Sequence, residues 1–225
     1  MAYQVYFGKG YIKENENKWL VQPYDFNDET VILIVQDKNK KLAGSVTLVF
    51  DGDSKIPAEK TFSDELKVLK NSGNKMVELS RLVIAPEFRN SKEILVLLFN
   101  YLAIYAHHVK NYNCLIVEVN PRHKTYYKAL LNFNELGGEK RCPQVQNAPG
   151  VLLYLPTSIY QSEVKRCGGL RNSDIKERSL YPYFIKTEKE GLVASYLEKQ
   201  ATPISIEEKL YFGYSQSGKY KAICV

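Results

Sequence analysis

Met76–Phe99, MVELSRLVIAPEFRNSKEILVLLF, is the stretch whose reading decides the fold, because it joins a strand, a tight turn and a helix. Val77, Leu79, Leu82 and Ile84 are the apolar positions of an alternating strand, yet Glu78, Ser80 and Arg81 interrupt it. Polar groups in a strand that otherwise favours burial need partners or a task. Pro86 stops the ladder, Ser91 is placed to cap the next element, and Ile94, Leu97, Leu98, Tyr101, Leu102 and Tyr105 recur at helical spacing. A strand feeding a helix start is a candidate anion site, since free backbone N–H groups and the helix dipole face the entering group.

Working outward, VILIVQ (31–36) and LAGSVTLVF (42–50) form an expected hairpin around the polar turn DKNKK (37–41), and Gly44 marks a bulge or close backbone approach. A short helical piece is expected around Asp64–Lys70, and the helix of the central stretch is expected over 92–109. CLIVEV (114–119) is a buried strand, NPRHKTYYKALLNF (120–133) a turn into a helix begun by Pro121, and 139–145 with 151–156 closing strands. The order predicts an α/β fold with a central mixed sheet flanked by helices. Residues 1–156 make one domain in this reading, with 157–225 an extension or small subdomain that holds a helix near Glu188–Lys199.

With 225 residues and 44% hydrophobic content the chain can bury a real core. Its N-terminus resembles neither a signal nor a transit peptide, and the helix after Ile94 is too short to span a bilayer, so a cytoplasmic protein without an integral membrane segment is expected. Cys114, Cys142, Cys167 and Cys224 have no CxxC spacing, which predicts reduced thiols. No carboxylate or cysteine stands at ligand spacing around His107, His108 or His123, so no metal site is expected. A net charge of +6 favours an acidic or phosphorylated partner, without the dense clusters that nucleic acid requires.

The strand, turn and long helix, followed by a strand and a helix that carries an aromatic pair and ends in NF, resemble the GNAT acyltransferase core. ELSRLVIAPEFR (78–89) resembles the E-x-S-R strand shared by acyl-homoserine-lactone synthases and long-chain N-acyl amino acid synthases. LAGSVTLVFDGDSKIPAE (42–59), VNPRHKTYY (119–127) and NAPGVLLYLP (147–156) point to the second group, and the likeness covers residues 25–156.

That resemblance implies transfer of a fatty acyl group from acyl carrier protein to the amine of an amino acid or small amino alcohol. An ammonium must lose a proton before it attacks a thioester, and Glu78 is the candidate base, its pKa raised by an apolar setting; the alternative for Glu78 is a structural ion pair with Arg81. Arg81 is expected to grip a substrate carboxylate or hold Glu78. Ser80 is a candidate substrate contact, backbone N–H groups at Val83 and Ile84 are expected to face the oxyanion, and Tyr127 is a candidate acid for the leaving thiolate.

CoA-dependent GNAT enzymes carry an R-x-x-G-x-G/A loop, but here Arg89, Asn90, Ser91, Lys92, Glu93 and Ile94 fill that register without glycine. This favours the single phosphodiester of an acyl-phosphopantetheine arm over acyl-CoA, bound by Arg89, Asn90, Ser91, Lys92 and Asn120, with Arg122, Lys124 and Lys128 meeting the acidic carrier. The remaining alternatives are a homoserine-lactone synthase using Asp25 and Asp28, a CoA-dependent GNAT enzyme, and a non-catalytic acyl-carrier or lipid-binding module.

Overall fold

The computed structural model describes residues 1–27, 29–52, 55–171, 177–203, 207 and the backbone of 221–224, so Asp28 and the Cys224 side chain lie outside the described residues. The chain begins with α1 (Ala2–Gly8) and continues through β1 (Val31–Gln36), β2 (Leu42–Phe50), α2 (Glu59–Asn71), β3 (Met76–Ile84) and α3 (Lys92–Ile104). Then come β4 (Cys114–Val119), α4 (Pro121–Leu131), β5 (Asn134–Cys142) and β6 (Ala148–Pro156). After residue 156 follow α5 (Thr157–Cys167), α6 (Thr187–Gln200), β7 (Thr202–Pro203) and β8 (Lys221–Cys224).

The strands form one mixed sheet in the order β5-β6-β4-β3-β2-β1-β8-β7. The hairpin is antiparallel, with Val31 opposite Leu48. β8 lies parallel to β1, so the segment after residue 156 extends the sheet at the edge that the hairpin would otherwise leave open.

Helices cover both faces. One core gathers Val77, Leu79, Leu98, Phe99, Leu102 and Leu115 with Tyr160, Tyr181 and Phe184 from the later segment. A smaller one, beneath α2, holds Val49, Ala58, Phe62, Leu66, Met76 and Ile116. Gly44 is a close approach: a Cβ there would lie 2.9 Å from Ile94 Cγ2 and 3.1 Å from Leu98 Cδ1, so its lack of a side chain lets α3 settle on β2.

Two boundaries depart from the sequence reading, and four elements have no counterpart in it. α2 starts at Glu59 rather than near Asp64, since Phe62 (φ −126°, ψ 37°) breaks the helical spacing while burying its ring. β5 starts at Asn134 rather than 139, because register shifts at Gly137 erase the alternation that marks a strand. α1, α5, β7 and β8 have no counterpart in the sequence reading. The 92–109 helix forms as expected, its last turn, Tyr105–Val109, wound as a π-helix.

β3 changes character along its length. Met76, Val77 and Glu78 pair in parallel with Cys114, Leu115 and Ile116, and the β3–β4 ladder stops there. Pairing with β2 continues to Ile84, interrupted by a bulge that sets Arg81 and Leu82 against one residue between Ser45 and Thr47. Arg81 has φ +51°, a left-handed conformation that costs a non-glycine residue on the order of 1–2 kcal/mol. A bulge bends its strand and re-aims a side chain. Strict alternation would put Arg81 on the face of Leu79; instead it reaches Thr47, on the side of Glu78 and Ser80. Beyond Glu78 and Ile116 the two strands part.

Candidate active site

A cavity of ≈ 450 Å³ fills the opening, bounded by Leu79–Leu82 and Ile84 from β3 and by Val117–Val119 from β4. Because β3 and β4 no longer pair here, backbone polar groups face a space that an extended amide-containing ligand could enter. α1 and the segment after it close one side with Tyr6, Lys9, Tyr11 and Leu20, and α4 contributes Arg122, His123, Tyr126 and Tyr127.

Glu78 stands where the strands part, 3% exposed. Its Oε2 accepts a hydrogen bond of 2.6 Å from the N–H of Ala58, the residue before α2. Burial raises its pKa to about 8, opposed by the Ala58 bond and reinforced by Glu118 and Glu59. Glu118, two residues past Ile116 on the same face of β4, lines the same cavity, and burial raises its pKa as well. Among the described residues no cation pairs with either carboxylate. Gly150 makes room here: a Cβ would sit 2.3 Å from Cys142 Sγ and 3.0 Å from Glu118 Oε1.

Arg81 does not hold Glu78. Asp25 takes both of its terminal nitrogens, Nη1 at 2.6 Å and Nη2, while Thr47 Oγ1 accepts from Nη2 at 3.0 Å and the Leu20 carbonyl from Nη1 at 3.1 Å. Its guanidinium carbon sits 5.1 Å from the Tyr24 ring centroid. The expected Glu78–Arg81 pair is therefore replaced by Arg81–Asp25, because the bulge swings Arg81 toward the segment before β1. The Ser80 and Tyr24 hydroxyls share a hydrogen bond of 3.1 Å.

Tyr127 borders the cavity and packs edge-on against Phe99 at 5.7 Å and Phe133 at 5.4 Å. Burial pushes its phenol well above the ordinary range, so it stays protonated and can donate. Ala85 N–H donates to the Ala43 carbonyl, so alternation turns the Val83 N–H toward β2 and leaves that of Ile84 on the open edge. The oxyanion donor expected of Val83 is thus spent in the sheet.

The expected anion loop is divided. Arg89 lines the cavity, but Ser91 caps α3 by accepting from Ile94 N–H and donates to Glu93, Lys92 lies 3.5 Å over the Tyr183 ring, and Asn90 is exposed outside the cavity. Arg89 is joined instead by Lys9, Arg122 and His123 on the same wall. Burial followed by Arg122 and Arg89 lowers the pKa of Lys9, and burial followed by Arg122 and Lys9 lowers that of His123. Arg122 donates to His123 Nε2 at 3.1 Å and to the Tyr11 hydroxyl at 3.3 Å. Asn120 borders the cavity as the cap of α4 and accepts from Arg122 N–H at 3.2 Å. Lys124 is paired with Glu135 at 3.2 Å and Lys128 is exposed on α4, both outside the cavity.

Cys114, Cys142 and Cys167 are free and buried. Among the described residues no His, Cys, Asp and Glu cluster could hold a metal ion, and no helix is long and apolar enough to cross a membrane.

The family model for the N-acyl amino acid synthase FeeM matches residues 1–156. The chain belongs to that family. It is an acyltransferase of the GNAT-related α/β kind. FeeM from uncultured soil microbes superposes with a TM-score of 0.61 at 21% identity, over 72% of this chain and 89% of that one. TofI, solved in a ternary complex with an inhibitor and MTA, gives 0.50 at 14% identity over 69% and 79%. The CoA-dependent acyl-homoserine lactone synthase MesI gives 0.49 at 15% identity over 69% and 76%. None of the curated proteins matches the chain.

Tyr6, Lys9, Tyr11 and Tyr24 escaped the sequence reading because they precede the first recognisable strand. Glu118 escaped it as one acid in an apolar run, although its spacing of two from Ile116 placed it on that residue's face.

Proposed function

We propose that this acyltransferase moves a long-chain fatty acyl group from the phosphopantetheine arm of acyl carrier protein to the amine of an amino acid or small amino alcohol. The observation that carries the reading is Glu78, a buried carboxylate with pKa about 8 placed where two parted strands open a cavity. A base of that strength is matched to taking an amine's proton near neutral pH.

The arm would lie in the cleft with its phosphodiester near Lys9, Arg89, Arg122 and His123, four groups on one wall that suit a single anion better than the glycine-free turn suits a pyrophosphate. Leu20, Leu82, Leu95 and Val119 give the acyl chain apolar contact. Glu78 accepts the ammonium proton directly or through water, the neutral nitrogen attacks the thioester carbon, and a backbone N–H on the open edge of β3 donates to the developing oxyanion. The C–N bond forms, the C–S bond breaks, and the nitrogen's second proton leaves as Tyr127 or solvent protonates the thiolate. The products are an amide, a free thiol and one net proton. Lys128, exposed on α4, would meet the acidic carrier.

Mass spectrometry of lipid extracts from cells expressing wild type or Glu78→Gln tests the reading. New acyl amides in wild type alone support it and give acyl length and amine together. The purified enzyme with acyl carrier protein or CoA carrying the same acyl group then identifies the donor. Equal binding of carrier by both forms with no acyl amide in either strain refutes transfer and favours a binding module.

A further inference from the structure

We infer that the Tyr6 hydroxyl, carried by α1, is a second donor to the oxyanion, acting beside the backbone N–H on the open edge of β3. The inference rests on the transfer reading above and adds a catalytic residue to it.

α1 packs against β3 and closes one side of the cavity. Its Tyr6 is half-buried and lines that cavity, and among the described residues no hydrogen bond occupies its hydroxyl. The ring is nonetheless held in place. Tyr11 N–H donates to the Tyr6 carbonyl at 3.0 Å, and the Tyr11 ring stands edge-on to that of Tyr6 at 5.8 Å. Tyr11 is tied down in turn by Arg122, which donates to its hydroxyl at 3.3 Å. A donor fixed in advance and bonded to nothing costs no reorganisation when charge develops on a substrate oxygen.

The neighbours of Tyr6 belong to both faces of the sheet. Tyr127 packs on Phe99 and Phe133 in the core shared with α3, whereas Tyr24 meets Ser80 on the other face, that of Glu78. Tyr6 bears on Tyr127, and Tyr24, Arg81 and Glu78 bear on Tyr6. Its phenol therefore stands between the two faces, at the gap left where β3 and β4 part, which is where the thioester carbonyl would lie. Burial, then Tyr24, Tyr11 and Glu78, push that phenol well above the ordinary range against the pull of Arg81. It stays protonated at working pH, so it donates a hydrogen bond and keeps its proton, while the departing thiolate is protonated by Tyr127 or solvent.

The test is isotope-edited infrared spectroscopy of the full chain, without acceptor, bound to acyl carrier protein or to CoA carrying the same acyl group labelled with ¹³C at the thioester carbonyl. The bound carbonyl band is expected at higher frequency in Tyr6→Phe than in wild type, because one hydrogen bond to that oxygen is gone; an unmoved band overturns the inference. With acceptor added, kcat of Tyr6→Phe is expected to fall about 10²–10³-fold, the usual cost of one oxyanion donor, while donor KM and the rise of activity through about pH 8 are retained. An unchanged kcat, or a defect confined to acceptor KM, overturns the inference and leaves Tyr6 a structural or acceptor-binding residue. The substitution removes an oxygen that no described protein group uses, so the fold is expected to survive it. Should it not, 3-fluorotyrosine at the same position, a stronger donor, is expected to lower the band below that of wild type, and an unmoved band then overturns the inference. If donor binds but no acceptor is acylated, the transfer reading fails and the band alone decides the role of Tyr6; a wild type that binds neither donor overturns both.

Discussion

Two buried glutamates in this molecule occupy opposite kinds of surroundings. Glu190, 1% exposed, belongs to a closed network: Tyr160 donates to its Oε1 at 2.6 Å and His108 Nε2–H to its Oε2 at 3.1 Å. Asn100 donates to the Tyr160 hydroxyl at 3.1 Å and accepts from Ile185 N–H at 2.8 Å, so the network ties α3, α5 and α6 together. Glu78, 3% exposed, takes one protein hydrogen bond among the described residues and borders a cavity. Equal burial therefore serves opposite ends. A carboxylate whose lone pairs are answered by side chains is committed to holding elements together, whereas one held at a single oxygen beside open space remains free to exchange a proton.

The largest expected effect is on Glu78. Glu78→Gln should lower kcat by about 10²–10⁴-fold, the range of general-base catalysis, with the melting curve preserved in steady-state and thermal assays. Wild-type activity should rise with pH through about 8, as Glu78 loses its proton, and the variant should lack that limb. Stability should run the other way. The folded pKa lies above the unfolded one, so the native state binds the proton more tightly, and the stabilisation present below pH 4.5 is lost as pH rises toward 8. Urea titrations across that window should show the slope in wild type and its absence in Glu78→Gln.

Glu190→Ala should produce the reverse pattern, a loss of about 3 kcal/mol in urea unfolding, because Tyr160 keeps a buried hydroxyl without its acceptor and the exposed His108 loses its partner, while the rate per folded molecule stays unchanged. Gly150→Ala should cost about 1–3 kcal/mol, read from the same titration, since the new methyl displaces Cys142 and Glu118. The smallest change is expected from Tyr127→Phe: roughly tenfold in kcat, with acyl-donor KM retained because the ring still packs on Phe99 and Phe133.

Most of the sheet was legible in sequence because its apolar residues alternate and its turns are polar, and the place of Glu78 at the cavity was legible because a carboxylate in such a strand is conspicuous. Arg81 was not. Its partner Asp25 is 56 residues away, and its face is set by a bulge that leaves no composition signal. The anion wall was half legible: Arg89 and Arg122 follow strand ends, but Lys9 caps the end of a helix of seven residues that no periodicity announces. The partner of Glu78 at the cavity, Glu118, required the parallel register of β3 and β4, which sequence spacing does not fix.

The bulge at Arg81 also bears on how such a site can be moved between proteins. Copying Glu78, Ser80, Arg81 and Asp25 onto an unbulged sheet would send the guanidinium to the far side and leave the aspartate buried without its cation. The transferable unit is a backbone with one surplus residue, and an engineer would have to lengthen the recipient strand before changing any side chain.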